Sequence, residues 1–266
     1  MSRRLRLDAE LVRRGLARSR DQAAELIAAG RVEVGGTAAG KAATQVAVDA
    51  PITVREAEAG PEYVSRGGHK LAGALAAFTG LTVAGRRCLD AGASTGGFTE
   101  VLLAAGATEV VAVDVGYGQL AWSLRSDTRV TVLDRVNVRA LRPEQVAPPP
   151  ELVTADLSFI SLSLVLPALV ACAAPDADFV LMVKPQFEVG KGNVGAGGVV
   201  RDPALRQSAV AAVAQAAAAL GLGVAGVTPS PLPGPSGNVE YFLWLRRGAP
   251  ELDEAALAQA IEAGPQ

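Results

Sequence analysis

The stretch from Cys88 to Glu100 reads Cys-Leu-Asp-Ala-Gly-Ala-Ser-Thr-Gly-Gly-Phe-Thr-Glu, and it decides the fold class of this 266-residue chain. A short apolar run ends at Asp90, small residues follow as far as Gly97, and a helix-compatible pattern begins at Phe98. This succession predicts a strand, a tight turn and a helix start, the junction at which α/β sheets bind nucleotide-like ligands. Small residues let a ligand approach the backbone, and N–H groups at a helix start favour polar or anionic groups.

The glycine pattern of this turn discriminates between nucleotide cofactors. The dinucleotide fingerprint G-x-G-x-x-G requires glycine where this chain has Ser94, so a dinucleotide is disfavoured. The turn suits instead S-adenosylmethionine, which carries an adenosine and an amino-acid tail, whereas a merely structural glycine turn is the alternative. The turn residues that we predict to bind this cofactor are Asp90, Gly92, Ala93, Ser94, Thr95, Gly96, Gly97 and Phe98.

Composition narrows the broad class. The two cysteines, Cys88 and Cys172, lie within apolar runs and in no paired motif, which predicts buried free thiols in a reducing compartment. No apolar signal region follows the first arginines, and the longest apolar stretch, 162–174, is too short to span a bilayer. We therefore expect a cytoplasmic protein without stable membrane insertion. His69 is the only histidine, so a histidine-based metal cluster is not expected.

Residues 1–59 have the pattern of a small, separate α+β unit. Residues 1–20 contain seven arginines and two acids, although the whole chain has a net charge of −2. Helical spacing near Leu7, a capping-box pattern at 19–22 and an alternating segment at 31–36 predict two helices followed by short strands. The basic end indicates local binding of a polyanion, and a solvated helix face is the alternative. The arginines that we predict to contact RNA are Arg4, Arg6, Arg14, Arg18 and Arg20, with Arg66 beyond this unit.

A linker is predicted at 60–62, and strand and helix patterns alternate from Tyr63 onwards. This alternation predicts an α/β fold with a doubly wound parallel sheet, closed by late strands near 222–227 and 239–246. Residues 248–266 are expected to form a C-terminal helix or tail. The earlier strands are expected near 86–91, 109–115, 130–133, 151–155 and 178–183, and the helices at 68–79, 97–105, 117–123, 162–171 and 203–220.

Polar side chains follow the second and third predicted strands of the sheet. Asp114 lies about 20 residues after the glycine turn, where a carboxylate can accept hydrogen bonds from ribose hydroxyls. The next residue, Val115, is included in the predicted cofactor site. Asp134 and Asn137 follow the third strand, where groups that contact adenine are expected, although both are also ordinary loop residues.

Four charged residues suggest the chemistry of the site. Asp156 and Lys184 end the fourth and fifth strands, Lys70 lies in the first helix after the linker, and Glu240 opens the last strand. A lysine that closes an apolar strand is unusual, because an unpaired buried ammonium is costly. If the four converge, Lys70 would favour the uncharged form of Lys184, which could take a proton from a ribose hydroxyl as that oxygen attacks a methyl group. Separate surface ion pairs are the alternative.

These four residues resemble the Lys-Asp-Lys-Glu tetrad of FtsJ-type ribose 2′-O-methyltransferases. With the motifs at 64–70, 90–99, 113–120 and 183–188, the chain resembles the TlyA family, and 6–8, 19–23 and 26–35 resemble the S4-like RNA-binding domain. The resemblance implies a Rossmann-like class I methyltransferase domain over 63–247, with Lys70, Asp156, Lys184 and Glu240 as catalytic residues. It also implies S-adenosylmethionine as cofactor, cytidine 2′-hydroxyls of 16S and/or 23S ribosomal RNA as substrate and ribosomal subunits as partners. The family carries a historical haemolysin label.

Three other functions remain open from the sequence. They are a membrane-active haemolysin, disfavoured by the lack of a spanning segment, a dinucleotide-dependent oxidoreductase, disfavoured by Ser94, and a non-catalytic RNA-binding factor. The glycine-rich stretch 190–198 is predicted to be either a substrate lid or a flexible connector.

Overall fold

The computed structural model describes residues 4–28, 30–55, 63–234 and 236–265. The chain divides into two compact units, Met1–Glu62 and Tyr63–Gln266. The predicted domain end at residue 59 and the predicted linker at 60–62 lie outside the described residues.

The first unit is a small α+β domain. Its core contains Leu7, Leu11 and Ile27 from the helices and Val32 and Val46 from the strands. The elements are β1 (Arg4–Arg6), α1 (Leu7–Arg13), α2 (Arg20–Ala28), β2 (Val32–Val34), β3 (Thr37–Ala38), β4 (Gln45–Ala47) and β5 (Ile52–Val54). β1 pairs with β4, while β2 lies between β3 and β5 in an antiparallel sheet.

The two predicted helices of this unit are confirmed, and the capping box is half formed. Ser19 Oγ accepts the Gln22 N–H at 3.1 Å, but Gln22 Oε1 accepts the N–H of Arg18, at 2.6 Å, and not that of Ser19. The strands β1 and β3 were not predicted. β1 is basic and becomes a strand by pairing with β4, a contact between distant parts of the sequence.

The second unit contains a seven-stranded sheet with helices on both faces. Its elements are α3 (Arg66–Ala77), β6 (Arg87–Ala91), α4 (Gly97–Ala104), β7 (Glu109–Asp114), α5 (Trp122–Arg125), β8 (Val130–Asp134), β9 (Leu152–Ala155), α6 (Leu162–Cys172), β10 (Asp178–Val183), α7 (Pro185–Glu188), α8 (Pro203–Ala218), β11 (Gly223–Pro229), β12 (Tyr241–Arg246) and α9 (Glu254–Ala263). The strand order is β8-β7-β6-β9-β10-β12-β11. The pairs from β8 through β10 are parallel, and β12 is antiparallel to both of its neighbours.

The predicted doubly wound fold is therefore confirmed, and the late strand β12 lies inside the sheet beside β10. Successive residues of the central strands face different cores: Leu89 packs with α6 and α8, and its neighbour Cys88 packs with α3 and α4. Burial on both faces explains why these strands are almost continuously apolar. The strand order reverses between β6 and β9, so the ligand crevice of this fold opens at their carboxyl ends.

The helix predicted at 117–123 is displaced: α5 begins only at Trp122. Side chains at the ends of two strands hold the preceding segment as a loop, because Asp114 accepts the N–H of Gly116 and Asp134 accepts that of Gly118. Gly118 also has a φ of +66°, outside the helical range.

Two expectations from composition concern the whole chain. Cys88 and Cys172 are buried free thiols, as predicted, and burial raises the pKa of Cys88 to about 12. Within the described ranges, none of the helices combines the length and the apolar character that crossing a bilayer requires.

Candidate active site

Three of the four predicted catalytic residues follow or precede neighbouring strands at one edge of the sheet. Asp156 directly follows β9, and Lys184 directly follows β10. Because β12 runs antiparallel to β10, its first residue pairs with the last residue of β10. Glu240, just before β12, and Lys184 therefore lie side by side directly beyond this last pair. The antiparallel insertion thus brings a carboxylate to the carboxyl edge of the parallel strands.

The fourth residue, Lys70, reaches this edge from α3. Its Nζ donates to Glu240 Oε2 at 2.6 Å, and the two side chains are only 8% and 1% exposed. The Nζ of Lys184 lies 2.6 Å from Asp156 Oδ1, in a pair that is more open because Asp156 is 24% exposed. Two neighbouring ion pairs, with balanced charge, therefore form one cluster.

A serine that the sequence analysis missed completes the surroundings of Lys184. Lys184 Nζ donates to Ser158 Oγ at 3.1 Å. Ser158 comes two residues after Asp156 in the same segment, so one stretch of backbone supplies both partners of the ammonium. The position of Ser158 next to a strand-ending aspartate was the available signal, but serine is too common in loops to be singled out.

An exposed aromatic residue stands beside this cluster and was also missed. Phe159 is 91% exposed, and its ring lies 5.2 Å from that of Phe187, measured between centroids. Its φ of +65° is in the left-handed region, which bulky L-residues rarely adopt. The chain therefore holds a large apolar ring in solvent at the cost of backbone strain, as functional sites commonly do.

The predicted cofactor turn lies at the same edge of the sheet. It begins with Gly92 at φ +89°, where a Cβ would overlap the carbonyl oxygen of Asp156. Glycine is required here by both conformation and space. The segment just before α3 also contacts the end of the turn, because a Cβ on Gly97 would overlap Ser65 Oγ. The Val64 N–H donates to Glu100 Oε2 in α4 at 2.6 Å. The turn is thus in direct contact with Asp156, one member of the charged cluster.

Asp90 lies beneath the turn and is completely buried. Thr99 Oγ1 donates to its Oδ2 at 2.7 Å, while its Oδ1 has no hydrogen-bond partner among the described residues. Burial is the main cause that raises the pKa of Asp90, to about 7, and the charge of Asp156 acts in the same direction. The hydrogen bond from Thr99 opposes this rise.

Asp114 connects the glycine turn to the loop after β7. Its Oδ2 accepts the N–H of Ser94 at 2.8 Å, and its Oδ1 accepts that of Gly116 at 2.6 Å. Each carboxylate oxygen has a further lone pair, so the group can still accept a hydrogen bond from a hydroxyl group. Val115, the next residue, is 72% exposed.

Asp134 and Asn137 have local structural partners that the sequence did not reveal. Asp134 Oδ2 accepts from Arg125 Nη1 at 2.9 Å in an ion pair. Asn137 Oδ1 accepts the N–H of Arg139 at 3.0 Å and caps a short 3₁₀ turn. Both lie at the predicted edge, and these partners orient them.

The predicted RNA-contacting arginines differ in how they are held. Arg6 and Arg20 both donate to the buried carboxylate of Asp8, at 2.9 and 2.8 Å, and remain 45% and 58% exposed. Their bonds to Asp8, from Arg6 first, hold the pKa of Asp8 well below its usual range, against the opposing effect of burial. Arg4 and Arg18 are exposed.

Arg14 is held by partners within the first unit. Its Nη1 and Nη2 donate to the carbonyl oxygens of Ala50 and Val48, each at 2.8 Å, and its Nε donates to Glu10 at 2.6 Å. This guanidinium cross-links the first unit from within. In the second unit, Arg66 is half-buried, and its Nη2 donates to the Pro233 carbonyl at 3.3 Å.

The glycine-rich stretch 190–198 contains two short 3₁₀ turns. Its far end is held by Asn238, whose Nδ2 donates to the Gly198 carbonyl at 2.8 Å and whose Oδ1 accepts the N–H of Val200 at 2.9 Å. Asn238 is buried and lies two residues before Glu240. This end of the stretch is therefore attached to the segment that carries Glu240, a predicted catalytic residue.

Comparison with known proteins identifies a domain family in each of the two units. A model of the FtsJ-like methyltransferase family matches residues 63–247, and a model of the S4 domain matches residues 5–52. The chain is 64% identical to the 16S/23S rRNA (cytidine-2′-O)-methyltransferase TlyA of Mycobacterium tuberculosis, over 98% of this chain and 96% of that protein.

More distant relatives carry a different name. Hemolysin A of Brachyspira hyodysenteriae is 36% identical over 90% of this chain and 98% of that protein. A solved structure from Streptococcus thermophilus, provisionally called a hemolysin, is 36% identical with a TM-score of 0.77 and covers 98% of this chain and 97% of that one. The chain therefore belongs to the TlyA family, in which an S4 domain precedes an FtsJ-like methyltransferase domain.

Proposed function

We propose that this chain transfers a methyl group from S-adenosylmethionine to the 2′-hydroxyl of cytidine in ribosomal RNA. The observation that carries the proposal is the cluster of two ion pairs, Lys70–Glu240 and Lys184–Asp156, directly beside the glycine turn. The printed activity of the M. tuberculosis relative supports cytidine as the nucleotide and the 2′-oxygen as the acceptor.

The residues at the turn fit S-adenosylmethionine. Gly92, at φ +89°, lets the turn pass directly against the Asp156 carbonyl, and Asp90 keeps a buried carboxyl oxygen without a partner among the described residues. Asp114 would hold the ribose hydroxyls, the backbone of 92–97 the amino-acid tail, and Val115 would cover the adenine. When bound, S-adenosylmethionine supplies an electrophilic methyl carbon that a ribose oxygen can attack.

Lys184 is the proposed proton acceptor. Its ion pair with Asp156 is the more exposed of the two, whereas the Lys70–Glu240 pair is almost completely buried. Asp156 and Ser158 fix the position of its Nζ. To act, Lys184 first releases a proton to solvent and then takes the proton of the 2′-hydroxyl as its oxygen attacks. Glu240 balances the charge of Lys70, so the site gains no uncompensated ammonium.

Recognition of RNA is assigned to both units. In the S4 domain, the exposed guanidinium groups suit phosphate contacts, which set the orientation of an RNA but carry little sequence information. A nucleotide inside a folded RNA must be splayed out before its ribose can reach the largely buried Lys184–Asp156 pair. In the catalytic unit, Phe159 offers an exposed ring on which a displaced base can stack, next to the Lys184 cluster.

The test is methyl transfer to ribosomal subunits by the wild-type protein and by the Lys184→Ala variant. We expect the variant to lose roughly 10²-fold or more in transfer rate, the range of a lost general base, while its dissociation constant for S-adenosylmethionine changes little. Substrate RNA with 2′-deoxycytidine at the mapped nucleotide should accept no methyl group. Full activity in Lys184→Ala would remove the proposed base, and methylation of the deoxy substrate would place the methyl group on another atom.

A further inference from the structure

Glu188 is a half-buried carboxylate to which the proposed chemistry assigns no role. It is the last residue of α7, the single-turn helix that starts directly after Lys184. Its Oε2 accepts the hydroxyl of Ser161 at 2.6 Å, and its Oε1 accepts the backbone N–H of Leu162 at 2.8 Å. Burial raises the pKa of this carboxyl group, and the same two hydrogen bonds oppose the rise.

These two bonds join α7 to the beginning of α6. Leu162 is the first residue of α6 and Ser161 is its N-cap, so the first turn of α6 takes a hydrogen-bond acceptor from a different part of the chain. The negative charge of the Glu188 carboxylate is also favourable at the N-terminus of α6, which is the positive end of the helix dipole.

The two hydrogen bonds of Glu188 matter because they connect two segments that carry residues of the proposed site. The segment from β9 to α6 carries Asp156, Ser158 and Phe159, and the segment after β10 carries Lys184 and Phe187. The ion pair joins them at the inner end and the two aromatic rings touch in the middle, so Glu188 closes the outer end.

The strained backbone at Phe159 indicates what the Glu188 hydrogen bonds do. A phenylalanine at φ +65° persists only where its surroundings determine the backbone on both sides. On one side the segment is continuous with β9 and held at Lys184. On the other side Glu188 holds Ser161 and Leu162, two and three residues after Phe159. Without Glu188, the segment loses two hydrogen bonds that fix its backbone just before α6, so the strained turn at Phe159 can relax.

We propose that Glu188 is a positioning residue for methyl transfer, which holds Lys184 and Phe159 in one arrangement by fastening α7 to the start of α6. The proposal rests on the proposed function. Glu188 acts through these neighbours and does not itself touch the substrate. Its loss therefore slows the transfer step, and it leaves the cofactor turn at 92–97 unchanged.

The experiment compares Glu188→Ala and Glu188→Gln with Asp253→Ala. Asp253 is a matched control, because its carboxylate also caps a helix, accepting the Ala255 and Ala256 N–H groups at the start of α9. In Glu188→Gln, the amide oxygen can keep the Leu162 bond, and the NH₂ group can donate to Ser161. The single-turnover rate at saturating S-adenosylmethionine and the dissociation constant of the cofactor are measured below the unfolding temperature of each variant.

We expect Glu188→Ala to lose roughly tenfold or more in single-turnover rate, since small misplacements of reacting groups have effects of this size. Its cofactor affinity should match the wild type, Glu188→Gln should recover most of the rate, and Asp253→Ala should keep it. Equal losses in Glu188→Ala and Asp253→Ala, or an unchanged rate in Glu188→Ala, would overturn the proposal.

Amide hydrogen exchange distinguishes failure of this proposal from failure of the proposed function. Exchange over 158–163 should accelerate in Glu188→Ala and not in Asp253→Ala. Unchanged exchange would overturn the tie, whatever the activity. A wild-type protein that binds S-adenosylmethionine but methylates no RNA would instead refute the proposed function, while the exchange result would still decide whether Glu188 orders this segment.

Discussion

The buried carboxyl group of Asp90 should make the stability of the catalytic unit depend on pH. Its pKa rises from 3.8 to about 7 on folding, mainly because burial disfavours the charged form. At about 1.4 kcal/mol per tenfold change in proton affinity, this rise in the pKa corresponds to roughly 4 kcal/mol. Asp90→Asn removes the ionisation and leaves an amide oxygen for the Thr99 hydroxyl.

The sign follows from proton binding. Below pH 3.8 the carboxyl group is protonated in both states, so it imposes no ionisation penalty. Between 3.8 and about 7 the unfolded chain has lost the proton and the folded protein keeps it, so the free energy of unfolding falls as the pH rises. Above about pH 7 the full penalty applies. Relative to the wild type, Asp90→Asn should therefore gain up to about 4 kcal/mol in stability between pH 4 and pH 8.

The assay is denaturant unfolding without cofactor, monitored by tryptophan fluorescence. Both tryptophans, Trp122 and Trp244, lie in the catalytic unit, so the signal is free of the S4 domain. Thr99→Val is the second variant: it removes the donor to the carboxylate and so raises the pKa of Asp90 further, which should extend the pH-dependent fall in stability to higher pH. Parallel pH profiles for the wild type and Asp90→Asn would refute the reasoning, because they would mean that Asp90 ionises as freely in the folded protein as in the unfolded chain.

Two further predictions concern buried carboxylates. Glu240→Gln leaves the Lys70 ammonium buried without its charged partner, so it should lower the free energy of unfolding by about 3–5 kcal/mol. Adding Lys70→Met to the same chain should restore much of the loss. If the effects of the two substitutions on the free energy of unfolding were simply additive, the pairing would be contradicted. In the S4 domain, Asp8→Asn should weaken binding of a ribosomal RNA fragment severalfold at low salt, because Arg6 and Arg20 lose the charge that holds them together. Fluorescence anisotropy of the labelled fragment measures this, and an affinity equal to that of the wild type would show that Asp8 does not organise the surface.

Much of the fold was predictable because it depends on local pattern. Apolar runs of strand length alternate with helical spacing from residue 63 onwards, and the small residues between Asp90 and Phe98 admit few conformations other than a turn. The side chain at the end of each parallel strand was therefore predictable as a site residue, because all such ends meet at one edge. Asp156 and Lys184 were predicted in this way, and the structure places both at this edge.

Other features were not predictable because they depend on contacts between distant segments. Arg14 was grouped with the RNA-contacting arginines, yet the carbonyl oxygens that it binds belong to residues 34 and 36 positions away. The helix expected at 117–123 was displaced by two carboxylates at strand ends. The local sequence pattern indicates neither of these effects.

The amino-acid sequence alone determined the order of the elements, the glycine turn and the identity of the four charged residues, since periodicity and side-chain size act over a few neighbours. Only the tertiary structure decided how the four meet: Lys70 pairs with Glu240 across 170 positions because β12 lies antiparallel beside β10. Tertiary packing also decided the use of Ser158 and Glu188, two polar residues with no special pattern. Burial and the position of a partner determine what such a side chain does, and both exist only after distant segments have come together.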